Sequence, residues 1–298
     1  MKLGSDSMII VVVGPTGVGK TKMSIELAKK YNGIVINGDS MQVYRHLNIG
    51  TAKILEDEKE GIPHFLFDIV DPDEMYTVYD YQKDLREILK TYANRNIIIV
   101  GGTGLYIKAG LFNYEFASED MNDDEKYNDL SNEELMNMVL KIDPDTKIHQ
   151  NNRRRLIRRL NQTTVGNNGN ELLYDAVFIG VTTDRENLYN RINKRVDIMI
   201  EDGLVDEVKK FYDQGIRSKA IMTGIGYKEL YDYFDGNISL DEAIDLIKKR
   251  TRKYAKRQYT WFNHQLPVKW FNVDFDDFSN TVREVCDYID AKDKPFVN

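Results

Sequence analysis

Gly14-Pro15-Thr16-Gly17-Val18-Gly19-Lys20-Thr21 fits the pattern G-x-x-x-x-G-K-[ST]. The apolar run at residues 8–13 precedes it, and Met23, Leu27 and Tyr31 follow at intervals of four. The run reads as a buried strand and the spacing as a helix packed on a sheet. A strand, a glycine-rich turn and a helix in that order make a P-loop. The glycines let the chain curl, so that backbone N–H groups and the helix N-terminus converge on phosphate oxygens. Gly14, Thr16, Gly17, Gly19, Lys20 and Thr21 are therefore candidate diphosphate-binding residues. Lys20 supplies a mobile positive charge, and Thr21 a hydroxyl for Mg2+.

Outward from this loop, short β-branched runs alternate with helical patterns. Residues 34–37, 97–100, 176–181 and 268–273 read as strands. A helix carrying Val78, Tyr81, Leu85, Ile88, Leu89 and Tyr92 precedes the second of these, and one with Phe278, Val282, Val285 and Ile289 closes the chain. The fold class expected is α/β, a P-loop NTPase-like and mostly parallel sheet with helices on both faces, plus a helical insertion subdomain. Residues 122–141 and 188–262 read as helical insertions forming that subdomain, the latter with about four amphipathic pieces. Residues 161–170, rich in Asn, Thr and Gly, read as a loop. The expected organisation is a first core portion at 8–115, a short helical insertion at 116–145 and a second core portion at 146–187. A helical region at 188–262 and a returning strand and helix at 263–298 complete it.

The 298 residues are 42% hydrophobic and 30% charged, enough for a buried core, with apolar runs far shorter than a bilayer span. One cysteine, Cys286, permits no internal disulfide, which points to a reducing cytoplasm. Met1 to Ser7 is polar and precedes a second methionine, so it is set aside as a leader or frayed terminus. The net charge of -7 argues against a protein coated in positive potential, yet Lys and Arg crowd residues 153–159 and 248–257.

Ligands in open α/β sheets bind beyond the carboxyl ends of the strands, so the P-loop, Asp39-Ser40 and residues 101–104 should surround one crevice. Many P-loop nucleotidases place an Asp after a second apolar strand, but residues 97–100 run straight into Gly101-Gly102-Thr103-Gly104. This favours a transferase that grips phosphates over an NTP-hydrolysing switch. Asp39 is the nearest carboxylate for chemistry; both it and Thr103 read also as turn residues. Arg191 and Arg195 share a side of the helix that starts near Leu188, about 100° from its apolar stripe, and could reach the diphosphate or form surface ion pairs.

Four separated motifs resemble the bacterial tRNA dimethylallyltransferase (tRNA isopentenyltransferase) family. They are GPTGVGKT at 14–21, NGDSMQVYRHLNIGTAK at 37–53, VGGTGLYIKA at 100–109, and GIGYKE at 224–229 followed by YAKRQYTWF at 254–262. LYNRINKRVDIMIEDGLVDEV at 188–208 is a fifth match. The resemblance implies Mg2+-assisted transfer of a dimethylallyl group from dimethylallyl diphosphate to N6 of the adenosine 3′ to the anticodon of tRNA. It implies Asp39 and Thr103 as catalytic and Arg195 as a diphosphate ligand. It also implies contacts to the tRNA anticodon stem-loop from Asp39, Ser40, Met41, Gln42, Thr103, Arg154, Arg155, Arg158, Lys228, Lys253, Lys256 and Arg257. A cytoplasmic monomer with no membrane association is expected.

The chain departs from the family pattern at Thr223, at Arg159 and Asn161, and in the short 122–141 stretch. A P-loop small-molecule or nucleotide kinase is the alternative, and would consume ATP without prenyl diphosphate. A tRNA-binding module without catalysis is opposed by the intact Lys20, Thr21 and Asp39.

Overall fold

The computed structural model describes residues 7–118, 124–164 and 166–293; the leader before Ser7 and the start of the 122–141 stretch lie outside the described residues. The elements in chain order begin with β1 (Ile9–Val13), α1 (Lys20–Lys30), β2 (Ile34–Asn37), β3 (His64–Phe65), α2 (Val78–Thr91), β4 (Ile97–Val100) and α3 (Gly104–Leu111). Then come β5 (Phe112–Tyr114), α4 (Asn132–Ile142), α5 (Arg153–Asn161) and β6 (Asn168–Leu172). The chain continues through β7 (Ala176–Thr182), α6 (Arg185–Glu201), α7 (Leu204–Asp213), α8 (Lys219–Thr223) and α9 (Tyr227–Phe234). It ends with α10 (Leu240–Gln265), β8 (Lys269–Asn272) and α11 (Phe278–Asp293).

Two compact units result: residues up to 111 with those from 173 onward, and residues 112–172. In the first, six strands form a parallel sheet in the order β3-β2-β4-β1-β7-β8. β1 lies between β4 and β7, and all five of its residues are buried. A strand covered on both faces tolerates only apolar side chains, which is why its sequence is an unbroken IIVVV. Each such side chain contributes about 1.5–3 kcal/mol by leaving water. Its core joins Ile10 and Val12 to Met23 and Leu27 of α1 and to Val285 and Ile289 of α11.

α2 starts at a capping box. Asp80 N–H donates to Thr77 Oγ1 at 3.3 Å, and Thr77 N–H donates to Asp80 Oδ2 at 2.8 Å. Tyr81, Leu85 and Leu89 form its buried stripe, as their spacing requires.

The helices α6–α10 belong to the first unit, whereas residues 122–141 lie in the second with the basic run. Packing explains why the two stretches do not form one subdomain. Val43, Tyr44 and Leu47, from the segment after β2, share a core with Val196, Val208, Phe211, Tyr227 and Ile247 of the helical layer. In the second unit, Tyr127, Leu135, Val139 and Leu156 form a small core between α4 and α5. Antiparallel pairing of β5 with β6 joins the ends of that unit, so part of the stretch read as a loop is a strand.

The sheet leaves little room between β2 and β4 at their carboxyl ends. A Cβ on Gly101 would lie 2.1 Å from the Gly38 carbonyl carbon. We expect Gly101→Ala to destabilise the fold by about 1–3 kcal/mol through overpacking, read as a lower urea midpoint at unchanged m-value.

Candidate active site

A cavity of about 430 Å³ opens at the carboxyl ends of the central strands. The P-loop forms one wall through Thr16, Gly17, Gly19, Lys20 and Thr21. Gly17 and Gly19 hold φ of 88° and 89°, the left-handed region that a side chain disfavours. Gly14 plays a different part. It is not among the residues lining the cavity, and a Cβ there would lie 2.2 Å from the Val181 carbonyl oxygen, so it lets the loop turn against the end of β7.

Lys20 Nζ donates to the Pro15 carbonyl at 2.8 Å, folding its ammonium back over the loop. Burial pushes this lysine down to about 8; the Arg195 charge pushes the same way and Asp39 opposes. Burial also lowers Arg195, again against the pull of Asp39. Arg195 lines the cavity and approaches Thr16 Oγ1 at 3.4 Å. Arg191, on the same helical side, is diverted. Its guanidinium lies 3.6 Å from the Phe275 ring centroid and its Nε donates to the Gly17 carbonyl at 3.0 Å, so it braces the P-loop from outside the cavity.

Asp39, Ser40, Met41 and Gln42 form the facing wall. Main-chain geometry orients Asp39. Met41 N–H donates to its Oδ1 at 2.9 Å, and its own N–H donates to Asn37 Oδ1 at 2.8 Å. Its Oδ2 receives no hydrogen bond among the described residues. Thr103 is locked to this turn, since Ser40 N–H donates to its Oγ1 at 2.9 Å and its own N–H donates to the Gly38 carbonyl at 3.0 Å. Gln42 donates through Nε2 to the carbonyls of Thr51 at 2.9 Å and Ala52 at 3.4 Å, which leaves Oε1 as an acceptor.

α10 supplies the third wall with Tyr254, Arg257 and Gln258. Gln258 lies within the motif at 254–262, whose pattern assigns it no role. It is 5% exposed and bridges two loops: Thr16 N–H donates to its Oε1 at 3.0 Å, and its Nε2 donates to the Gly102 carbonyl at 3.0 Å. Its separation of four from Tyr254, which lines the same cavity, was the available signal. Burial, then Asp39, raises the Tyr254 phenol, which therefore stays protonated. Phe262 is fully buried, and Trp261 covers Gly104, where a Cβ would lie 2.1 Å from its ring.

The remaining candidate residues lie outside the cavity. Lys228, Lys253 and Lys256 are exposed in the first unit. Arg154, Arg155 and Arg158 are exposed on α5 of the second unit, while Arg153 holds the Leu130 carbonyl at 2.6 Å and Arg159 pairs with Asp143 at 3.1 Å. Among the described residues no group of three or more His, Cys, Asp or Glu could hold a metal, and no helix is long and apolar enough to cross a membrane.

A P-loop whose cations face a carboxylate across one cavity, beside a basic helical layer, defines an α/β enzyme acting on a phosphate-bearing substrate. Residues 42–265 match the IPP transferase family, and the chain belongs to it. The chain is 47% identical over 300 residues to a tRNA dimethylallyltransferase of Anoxybacillus flavithermus, covering 95% of this chain and 96% of that one. The solved tRNA isopentenylpyrophosphate transferase of Bacillus halodurans superposes with a TM-score of 0.74 at 44% identity, covering 96% of this chain and 97% of that one. A eukaryotic dimethylallyltransferase acting on tRNA gives a TM-score of 0.80 at 28% identity, over 98% of this chain and 81% of that one. These likenesses do not favour the kinase alternative.

Lys20 generates a pH dependence of known sign. Its charge is present below about 8 and lost above it in the free protein, and a bound anion restores the proton. The dissociation constant of an alkyl diphosphate, measured by calorimetry, should rise above that pH by up to about tenfold per unit. Lys20→Met should bind weakly and show no such break.

Proposed function

We propose that this protein transfers a dimethylallyl group from dimethylallyl diphosphate to N6 of the adenosine 3′-adjacent to the anticodon of tRNA. The observation that carries this reading is the single cavity in which Lys20 and Arg195 face Asp39. Diphosphate lies on the P-loop, within reach of Lys20 and Arg195. The adenine, flipped out of its stack, enters beside the Asp39–Gln42 wall. N6 attacks the allylic carbon, the C–O bond breaks, and its electron pair leaves with diphosphate. The P-loop amides and Lys20 stabilise the charge that develops there. The new N–C bond leaves N6 cationic, and Asp39 Oδ2 accepts its proton. Thr103 keeps this turn in place.

The donor set suits Mg2+. Thr21 lines the cavity with a hydroxyl and, among the described residues, no carboxylate cage surrounds it; Mg2+ commonly takes few protein ligands and completes its shell with phosphate oxygens and water. When bound, the ion neutralises charge on the diphosphate. Lys253 and Lys256, with Lys228, Arg257 and the exposed arginines of α5, provide cations for the phosphates of the anticodon stem-loop. A monomer is the state proposed from the family resemblance, and tRNA as substrate supports the cytoplasm as its location.

The direct test is to incubate the protein with Mg2+, dimethylallyl diphosphate and unmodified tRNA, then seek prenylated adenosine in the digested RNA by mass spectrometry. Product lost in Lys20→Ala is expected; no product, with ATP consumed on a small acceptor, would restore the kinase. Asp39→Ala should lower the single-turnover rate by roughly 10² or more while both substrates still bind. An unchanged rate would remove Asp39 from the chemistry. Lys253→Glu with Lys256→Glu should weaken tRNA binding and flatten its log–log salt slope by about 0.7–0.9 per lost phosphate contact.

A further inference from the structure

Glu207 of α7 takes no part in the steps above, yet it is a carboxylate only 9% exposed. Three consecutive backbone N–H groups converge on it. Asn48 and Ile49 donate to Oε2 at 3.1 and 2.8 Å, and Gly50 donates to Oε1 at 3.2 Å. The Tyr227 hydroxyl adds a fourth hydrogen bond to Oε1 at 2.7 Å. Successive amides turned to one point form a nest that attracts an anion, and here the anion comes from the chain itself. Gly50 fits only because it has no side chain: a Cβ there would lie 2.7 Å from the Tyr227 ring.

The same loop continues into the cavity. Gly50, Thr51 and Ala52 line it, and the carbonyls of Thr51 and Ala52 receive both hydrogen bonds from Gln42 Nε2. An unbroken series of contacts therefore runs from Glu207 through the loop to the amide of Gln42, whose Oε1 is left to accept from a ligand. A neutral glutamine at 207 would offer one acceptor oxygen and turn an NH2 group towards backbone donors.

We propose that Glu207 is a positioning residue for the acceptor base: by filling the nest it fixes residues 48–52, and through them the direction in which Gln42 presents its carbonyl oxygen. This rests on the tRNA prenylation reading. It concerns RNA rather than diphosphate, because the loop meets Gln42 and not the P-loop.

The test compares wild type, Glu207→Gln, Glu207→Ala and Tyr227→Phe in the full chain, with KM measured separately for tRNA and for dimethylallyl diphosphate. Glu207→Gln should raise KM for tRNA by about tenfold, the scale of one lost charge-assisted hydrogen bond, and move KM for the diphosphate by less than about twofold. Tyr227→Phe, which keeps the carboxylate and the fold, should show the same split at about two- to threefold. Formate added to Glu207→Ala should refill the nest, lowering KM for tRNA and raising the melting temperature, with neither change in wild type. Equal rises in both KM values, an unchanged KM for tRNA in Glu207→Gln, or a soluble Glu207→Ala indifferent to formate would each overturn the role. If Glu207→Ala does not fold, the KM split in the other two variants decides. A wild type inactive on tRNA would instead overturn the prenylation reading itself.

Discussion

The carboxyl ends of β2 and β4 approach so closely that backbone packs on backbone, and the site is arranged around that contact. Gly38 N–H donates to the Val100 carbonyl at 2.7 Å, and Thr103 N–H returns to the Gly38 carbonyl at 3.0 Å. The two turns that follow these strands are thereby held as one piece. Asp39 is oriented by the Met41 amide and by Asn37, with no ion pair among the described residues, so hydrogen bonds alone set the direction of its carboxylate. Such orientation by short hydrogen bonds sets a carboxylate near two half-buried cations, Lys20 and Arg195, with one of its oxygens receiving no hydrogen bond among the described residues.

α10 fastens this piece to the P-loop from the other side. Gln258 reaches Thr16 across 242 residues of sequence and Gly102 across 156. Both bonds come from one amide on a helix of 26 residues, so the P-loop and the Gly102 turn share a single strut. The same helix exposes Lys253 and Lys256 while burying Ala255 and Gln258. A polyanion held on the exposed side would therefore bear on a rigid element that is hydrogen-bonded to the phosphate cradle.

Legibility in the sequence followed the range of the interactions. β1, β2 and β4 were readable because strands buried on both faces admit only apolar residues, and the P-loop because its glycines answer a local backbone demand. β6 was not, because Asn168 to Leu172 reads NGNEL and becomes a strand only by pairing with β5. Arg191 and Arg195 share a helical side, and no local rule tells them apart; Phe275, 84 positions beyond Arg191, supplies the ring that draws the first away. Glu207 was hidden for the same reason, and Gln258 had a local signal only in its spacing from Tyr254, since the hydrogen-bond partners of both lie on distant segments. The helical stretch at 188–262 was found, but its allegiance to the sheet unit depends on Val43, Tyr44 and Leu47, which patterns within the helices do not reveal.

The missing carboxylate after β4 acquires a physical reason. An Asp at residue 101 needs a Cβ, and one there would stand 2.1 Å from the Gly38 carbonyl carbon. The approach that fixes Asp39 and Thr103 therefore excludes an acid at the place where many P-loop nucleotidases put one. Gly102 is excluded as well, for its Cβ would lie 2.3 Å from Gln258 Nε2 and 3.2 Å from Asp39 Oδ2. The carboxylate that remains projects from the neighbouring strand end, across the cavity from the cradle. From there it suits proton removal from an acceptor arriving at the far wall. In the proposed reaction such a P-loop would grip the leaving group while Asp39 served the nucleophile, which is the division of labour that an alkyl transfer to nitrogen requires.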